Sequence, residues 1–329
     1  MKRFLCCALA AVMLLLGGCA AGTAEETTEP AVDISQYLSP WDTPVEADGK
    51  LHYYFMSGAG MIINPEHSTP EKWGDSCLIV MPDGKTMLVD SGNRPYAPVL
   101  VENLRRMGIE KLDYLMISHS HSDHIYGATD EKGVLANIPV GEVFISGVYN
   151  GGLDNPYLVD DLCKEKEIPV RTLQKGDVLE FGEVRMEVIW PLNEMVGQVI
   201  KGTETVNNES LVVRFDYKEH SSLFTGDLYE VGEATLLKAS IEEIEKLDVD
   251  LLKIPHHGHN TSSSISFVMA VKPEIAVAMG YCNMASTIRN AYLMSSTDVV
   301  MDRESGYVHI YTDGQTMMKD VQRTETANG

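Results

Sequence analysis

The residues best suited to chemistry are crowded into one hexapeptide, His119-Ser120-His121-Ser122-Asp123-His124. Imidazoles and carboxylates are the ligands that zinc, iron and manganese take in proteins. The hexapeptide follows an apolar, strand-like run, where alternate spacing lets His119 and His121 face one pocket. A predicted turn at Ser122 directs Asp123 and His124 towards a second position. Because four ligands in so short a stretch cannot easily serve one ion, the sequence predicts two; the competing interpretation is a solvated polar loop.

Two later motifs supply further candidate ligands. Asp227 follows a predicted strand and Gly226, whose small size permits close approach to a metal. Its carboxylate has two oxygens and can bridge two ions, although a turn aspartate that caps the next helix is the alternative. His256 and His257 follow the apolar run 249–254, and alternation along a strand allows only one of them to face the pocket. We expect His257 to be the ligand and His256 its neighbour, near a ligand or the leaving group.

Asp90 also stands at the end of an apolar run, directly before Ser91 and Gly92. Its carboxylate could orient a ligand histidine by accepting the second ring N–H. Asp-Ser-Gly is equally common in ordinary turns, so a turn is the alternative interpretation.

The surrounding pattern predicts strands, then helices, then strands again. Strands are expected at 51–55, 77–81, 86–90, 112–117, 142–145, 178–181, 184–190, 211–215, 222–225, 249–254, 275–278, 299–301 and 307–311, and helices at 95–107, 231–239 and up to 271. Two β-rich halves with helices between them predict an α+β fold. The expected architecture is an αββα sandwich, with two mixed sheets packed face to face and helices outside.

Taken together and in this order, these motifs resemble those of the metallo-β-lactamase fold superfamily, whose signature is HxHxDH after a strand. The resemblance covers most of residues 51–311 and includes the segments 88–92, 223–227 and 252–258. It implies a hydrolase with two divalent ions, zinc being expected and manganese or iron the alternatives. The implied ligands are His119, His121 and Asp227 for metal one, and Asp123, His124, Asp227 and His257 for metal two.

One motif departs from many relatives, which carry a further histidine before the bridging aspartate. This sequence has Asn207 there, in the pattern Asn-x-x-Ser-Leu. The pattern is similar to the hydrolase domain of bacterial DNA-uptake competence channels and to phosphorylcholine esterases, two phosphodiester-cleaving branches. The resemblance implies that Asn207 leaves a position open for a phosphate oxygen; a surface turn is the alternative.

The predicted activity is therefore attack by an activated water on a phosphodiester or a related phosphoryl or ester bond, with Asp123, Asp227 and Asn207 as catalytic residues. A small molecule or a head group is the expected substrate, and Tyr126, Trp73 and Tyr149 could offer aromatic faces to a cationic group. Two alternatives remain open at this point. One is a thioester, lactone or β-lactam hydrolase, and the other is a non-catalytic lipoprotein that binds a metal or ligand.

The N-terminus predicts export. Lys2 and Arg3 precede an apolar run that ends in Gly-Gly-Cys19, which resembles a bacterial lipobox. We expect a signal peptide at 1–18, lipidation of Cys19, an acidic tether at 19–40, and a metallo-hydrolase domain at 41–329 on the outer face of the bacterial cell membrane. The net charge of −22 over 329 residues makes specific nucleic-acid binding unlikely, although it does not say where basic residues lie. The sequence does not define an oligomeric state.

Overall fold

The computed structural model describes residues 33–56, 74–280 and 284–322. The predicted signal peptide, Cys19 and the insertion at 57–73, which includes Trp73, lie outside these residues. Within the described part of the chain, no helix has the length and apolar character needed to cross a membrane.

Seventeen strands lie within the described residues. In chain order they are β1 (Leu51–Phe55), β2 (Cys77–Val80), β3 (Thr86–Val89), β4 (Leu112–Ile117), β5 (Val140–Ile145), β6 (Tyr149–Asn150), β7 (Val170–Thr172), β8 (Val178–Phe181), β9 (Val184–Trp190), β10 (Val199–Ile200), β11 (Val212–Tyr217), β12 (His220–Phe224), β13 (Leu251–Lys253), β14 (Ile275–Ala278), β15 (Asp298–Met301), β16 (Val308–Thr312) and β17 (Met317–Val321). One sheet has the order β17-β16-β1-β2-β3-β4-β5-β7 and the other β15-β14-β13-β12-β11-β9-β8, while β10 and β6 form a small pair.

Helices cover the outer faces of the two sheets. They are α1 (Ala97–Arg106), α2 (Ser122–Thr129), α3 (Val134–Asn137), α4 (Leu158–Glu165), α5 (Thr203–Asn208), α6 (Glu230–Leu236), α7 (Ile241–Glu245), α8 (Ile265–Val271), α9 (Ser286–Met294) and α10 (Asp302–Ser305), with 3-10 turns at Ser35–Tyr37, Arg94–Tyr96, Asn193–Met195 and Pro255–Gly258. Residues of α1 to α4 pack on the first sheet, and residues of α6, α8 and α9 on the second.

The main core lies between the sheets. Tyr53, Phe55 and Met87 of the first sheet pack with Phe215 and Phe224 of the second, and all five are buried. Each fully buried side chain of this size contributes about 1.5–3 kcal/mol through removal of apolar surface from water. The two sheets therefore pack face to face with helices outside, and the predicted αββα sandwich is confirmed.

Parallel pairing decides where functional residues meet. Strands β3, β4, β5 and β7 run parallel, as do β12, β13, β14 and β15. Loops that leave the carboxyl ends of parallel strands emerge at one edge of a sheet, which is the usual place for a ligand site. The loops after β3, β4, β12 and β13 all leave the carboxyl ends of these parallel strands.

Three features differ from the sequence-based expectations. Ser122 begins α2 and is not an isolated turn, and β17 follows the run at 307–311 that was expected to be the last strand. Ile34, Tyr37 and Leu38, within the predicted tether, pack against the core on the α1 side, because their apolar side chains find a partner surface there.

Candidate metal centre

The residue before the hexapeptide is held by hydrogen bonds to the residue that follows β3. The Ser118 N–H and hydroxyl donate to Oδ1 and Oδ2 of Asp90, both at 2.7 Å. His121 is the N-cap residue of α2, and Asp123 and His124 lie in its first turn. The start of this helix therefore turns Asp123 and His124 in a different direction from His119.

Asp90 contacts an imidazole of the hexapeptide directly. Its Oδ2 lies 2.8 Å from Nδ1 of His124, and both side chains are buried. The Nδ1–H of His124 donates to this carboxylate, so Nε2 is left pointing the other way, towards Asp227 at 3.3 Å from Oδ2. Asp90 thus fixes the ring orientation of His124, as carboxylates behind metal-binding histidines do.

Asp227 stands at the centre of the cluster. Its Oδ2 lies 3.3 Å from Nε2 of both His124 and His257, and 3.9 Å from Nε2 of His119. The preceding Gly226 has φ +50°, and a Cβ there would lie 2.7 Å from the Cβ of Ser210, so a larger residue would displace the loop. One oxygen of Asp227 faces all these rings, whereas the sequence led us to expect that both oxygens could bridge the ions.

The histidine pair after β13 adopts an unusual backbone conformation. His256 and His257 both have left-handed angles, with φ +46° and +56°. His257 turns inward, and its Nε2 lies 3.5 Å from Oδ2 of Asp123. His256 lies at the side of the cluster: its Nδ1 is 2.5 Å from Oγ1 of Thr261, and its Nε2 is 3.9 Å from Asp227 Oδ2.

Two residues that the sequence analysis did not assign to the site complete it. Asp75 Oδ1 lies 2.8 Å from Nδ1 of His257 and so orients this ring as Asp90 orients His124. Lys253, at the end of β13, forms an ion pair with Asp75, and its Nζ lies 3.6 Å from Oδ1 of Asp227. Gly74 makes room for this arrangement, since a Cβ there would lie 1.8 Å from the Asp123 carbonyl oxygen. The sequence signal for Lys253 was its position as a charged residue in an otherwise apolar strand.

The described residues form four overlapping groups in which three potential ligand atoms lie within 4.8 Å of one another. The groups are His119-His124-Asp227, Asp123-His124-His257, Asp75-Asp90-His124 and Asp75-Asp227-His257. Five of the six predicted ligands are thereby brought together. His121 belongs to none of the four groups; its Nδ1 lies 3.0 Å from Nε2 of His119.

The buried ring nitrogens fit a metal. Nε2 of His124 and Nε2 of His257 are buried and have no hydrogen-bond partner among the described residues. An unpaired buried polar atom is costly, and a divalent cation would satisfy both nitrogens while neutralising the carboxylates around them. Imidazole and carboxylate donors suit zinc, manganese and iron alike.

Electrostatics divide the histidines into two kinds. Burial lowers the pKa of His119 well below its ordinary value, and burial also lowers the pKa of His121, so both rings are held neutral, the form that binds metals. Burial acts in the same direction on His124 and His257, but nearby carboxylates outweigh it and raise their pKa values well above normal. Burial raises the pKa of Asp227, yet these two imidazoles reverse the effect and hold it well below its ordinary value.

Asn207 borders the cluster from α5. It is 1% exposed, and its Oδ1 has no hydrogen-bond partner among the described residues. It interacts with His121 and with Tyr229, whose ring centroid lies 4.7 Å from that of His256. Asn207 is therefore a buried amide at the edge of the cluster and not an exposed turn residue.

The two described aromatic residues predicted to face a substrate have other contacts. Tyr149 packs on Tyr157 at 4.7 Å between ring centroids, and its hydroxyl lies 3.3 Å from Asp160 Oδ1. The guanidinium carbon of Arg94 lies 4.7 Å from the ring centroid of Tyr126. Neither arrangement assigns these rings to a substrate, whereas Tyr229 stands beside the cluster.

This fold and donor set define a metallo-β-lactamase-type protein. The family model described as the metallo-beta-lactamase superfamily matches residues 73–280, and the chain belongs to that superfamily. The resemblance drawn from the sequence motifs is confirmed.

Several curated proteins are similar to parts of this chain. ComE operon protein 3 of Bacillus subtilis is 28% identical over 180 residues, which cover 54% of this chain and 21% of the relative. Competence protein ComA of Neisseria gonorrhoeae is 30% identical over 210 residues, covering 63% of this chain and 26% of the relative. UPF0173 protein PF0020 of Pyrococcus furiosus is 28% identical and is covered to 80% of its length. The chain thus spans about a quarter of the length of the first two of these relatives.

Among the solved structures similar to this chain is YhfI of Bacillus subtilis, described as a metallo-beta-lactamase fold protein. It is 12% identical, with a TM-score of 0.49, and the match covers 82% of this chain and 99% of that one.

Proposed function

We propose that the chain is a metal-dependent hydrolase that uses two divalent ions to cleave a phosphodiester or a related phosphoryl ester. The observation that carries the proposal is the position of Asp227 Oδ2, 3.3 Å from the unpaired Nε2 atoms of both His124 and His257. The same oxygen lies 3.9 Å from Nε2 of His119, so one carboxylate oxygen faces rings that are assigned to both metals. Bound there, two divalent ions would lower the pKa of a water molecule and stabilise charge on phosphoryl oxygens.

The protein residues have separate tasks in this reaction. Asp90 and Asp75 orient His124 and His257, so that each ring presents Nε2 to the site. Asp123 and Asp227 supply negative charge that retains the cations. Asn207 stands where many relatives have a histidine, and its amide would leave room for a substrate oxygen and can donate a hydrogen bond to it.

Two arguments favour phosphoryl over acyl transfer. The Asn-x-x-Ser-Leu pattern lacks the extra histidine, and the relatives include a protein named as a competence protein. We further propose that Cys19 carries the lipid that places the domain on the outer face of the cell membrane, where a small phosphoester or a phosphorylated head group would be the substrate. Zinc is the proposed metal.

The test compares two model substrates with the same preparation of the full chain. We expect bis(p-nitrophenyl) phosphate to be hydrolysed, the rate to fall on addition of a chelator, and zinc or manganese to restore it. Nitrocefin should be a poor substrate. Hydrolysis of nitrocefin without phosphodiester turnover would replace the proposal with the acyl-transfer alternative, and no metal-dependent turnover of either substrate would support a binding protein.

A further inference from the structure

Lys253 is the one lysine with contacts to the candidate metal centre among the described residues, and it is 3% exposed. It ends β13 after two buried leucines, in a position that an apolar side chain would fill at a lower desolvation cost. Burying an ammonium group is costly unless partners compensate it. The strand itself requires only the backbone of this residue, so the charge needs a different explanation.

All the polar contacts of the Lys253 ammonium lead to the site. Nζ donates to the Gly226 carbonyl oxygen at 2.8 Å, forms an ion pair with Asp75 Oδ2, and lies 3.6 Å from Asp227 Oδ1. Gly226 is the residue directly before Asp227. The ammonium therefore contacts the side chains of Asp75 and Asp227 and also the peptide group directly before Asp227.

The two carboxylates would repel each other without a cation between them. Asp75 and Asp227 are both 2% exposed, and both approach His257. Lys253 contacts the outward oxygen of each, Oδ2 of Asp75 and Oδ1 of Asp227, whereas the inward oxygens face His257. A fixed positive charge at this point lets both carboxylates remain ionised and determines which oxygen of each faces the imidazole.

We propose that Lys253 is a positioning residue for the second metal of the site. Its ammonium draws Oδ1 of Asp227 away from the imidazoles, so that Oδ2 alone faces His119, His124 and His257. Through Asp75 it also fixes the ring of His257. The inference rests on the proposed two-metal function and adds a residue outside the ligand set.

The consequence is unequal for the two ions. Among the described residues, neither His119 nor His121 forms a hydrogen bond or ion pair with Lys253, whereas His257 is linked to it through Asp75. Asp227 also contacts Lys253 but serves both ions, so the difference between the ions comes from His257. Removal of the ammonium should therefore weaken the ion held by His257 much more than the ion held by His119. Loss of a residue behind a metal ligand typically lowers metal affinity 10–100-fold.

Titration calorimetry of the chelated full chain with Mn²⁺ tests this inference. The wild-type chain should bind two ions. Lys253→Met should bind the ion held by His119 with an affinity within about three-fold of wild type. It should bind the ion held by His257 at least 10-fold more weakly than wild type does. Lys253→Gln, which keeps a donor for Gly226 but no charge, should behave likewise, and Lys253→Arg should retain more of the second affinity than either. Lys246→Met, which removes an ion pair with Glu187 elsewhere in the second sheet, is the matched control and should match wild type.

The outcomes separate this inference from the proposed function. If folded Lys253→Met and Lys253→Gln both bind two ions with wild-type affinities, the inference is overturned and the two-metal function remains intact. Equal weakening of both ions, or failure of both neutral variants to fold as judged by circular dichroism, would show that Lys253 serves the fold and would overturn it as well. A wild-type chain that binds a single ion would overturn the two-metal proposal and this inference together.

Discussion

The Nδ1 atom of His257 lies 2.8 Å from Oδ1 of Asp75, although 182 positions separate the two residues in the chain. The contact joins the loop before β2 to the loop after β13, and so it connects the two sheets at the site. His124 has the equivalent contact with Asp90 at 2.8 Å. Each of these two central imidazoles is therefore oriented by its own buried carboxylate.

Asp75→Asn should weaken the site without removing any proposed ligand. The amide cannot provide the negative charge that makes His257 a strong donor ligand, so we expect metal affinity or kcat/KM to fall about 10–100-fold. Metal titration and phosphodiester kinetics on the same preparation measure both effects. Asp83→Asn, at an exposed ion pair with Lys85, is the control, and equal behaviour of the two variants would count against the role of Asp75.

Asn207→Ala should lower turnover more than stability. Its Oδ1 has no hydrogen-bond partner among the described residues by geometry, so the contacts that the substitution removes are those with His121 and Tyr229 at the edge of the cluster. If the amide contacts a substrate oxygen, kcat should fall about 10-fold or more while metal content stays constant. Wild-type kcat in a variant of unchanged melting temperature would exclude a catalytic role for Asn207.

Glu233 should make the stability of the chelated protein depend on pH. Burial raises the pKa of this carboxyl from an ordinary 4.5 to about 7, although it accepts the N–H groups of Ser263 and Ser264 at 2.5 and 2.8 Å. Between these pH values the folded chain holds a proton that the unfolded chain has lost. Its contribution to stability is therefore complete below about pH 4.5 and is lost as the pH rises to about 7, amounting to about 3 kcal/mol at most.

Denaturant unfolding of the chelated chain at several pH values measures this effect. Glu233→Gln should show a flatter decline between pH 5 and 7 than wild type, and Glu230→Gln, at an exposed position in the same helix, should follow wild type. Parallel curves for wild type and Glu233→Gln would show that Glu233 titrates normally.

Cys19 should determine membrane attachment. Expressed in a bacterium with residues 1–18, the chain is expected to sediment with membranes, because a bacterial lipoprotein carries more than one acyl chain at its cysteine. Cys19→Ala should release the chain or leave it unprocessed. A variant that stays membrane-bound at the mature mass would show that the lipobox interpretation is wrong.

The sequence predicted the sheets better than the contacts between them. β1, β4, β8, β9 and β14 begin and end at the predicted residues, because each is a run of apolar or alternating residues. β17 was missed because it is a half-exposed edge strand with an irregular apolar pattern. The histidine and aspartate motifs were recognisable because metal ligands of this type follow strand ends at short spacing.

Asp75 and Lys253 could not be assigned to the site in the same way. Each is a single charged residue beside an apolar strand, and its function depends on the pairing of distant strands. A buried lysine in the apolar run 251–254 was a local signal, since such a residue needs an ionised partner, but the sequence alone does not name that partner.

Asp227 provides the most direct test of the account, because its Oδ2 faces His124 and His257, assigned to metal two, and His119, assigned to metal one. The decisive measurement is the rate of bis(p-nitrophenyl) phosphate hydrolysis by Asp227→Asn relative to wild type, with Asp216→Asn, an ion-pair residue of the same sheet, as the matched control. We predict at least a 10²-fold loss in Asp227→Asn and a wild-type rate in the control. A folded Asp227→Asn that hydrolyses the phosphodiester at the wild-type rate would contradict the account.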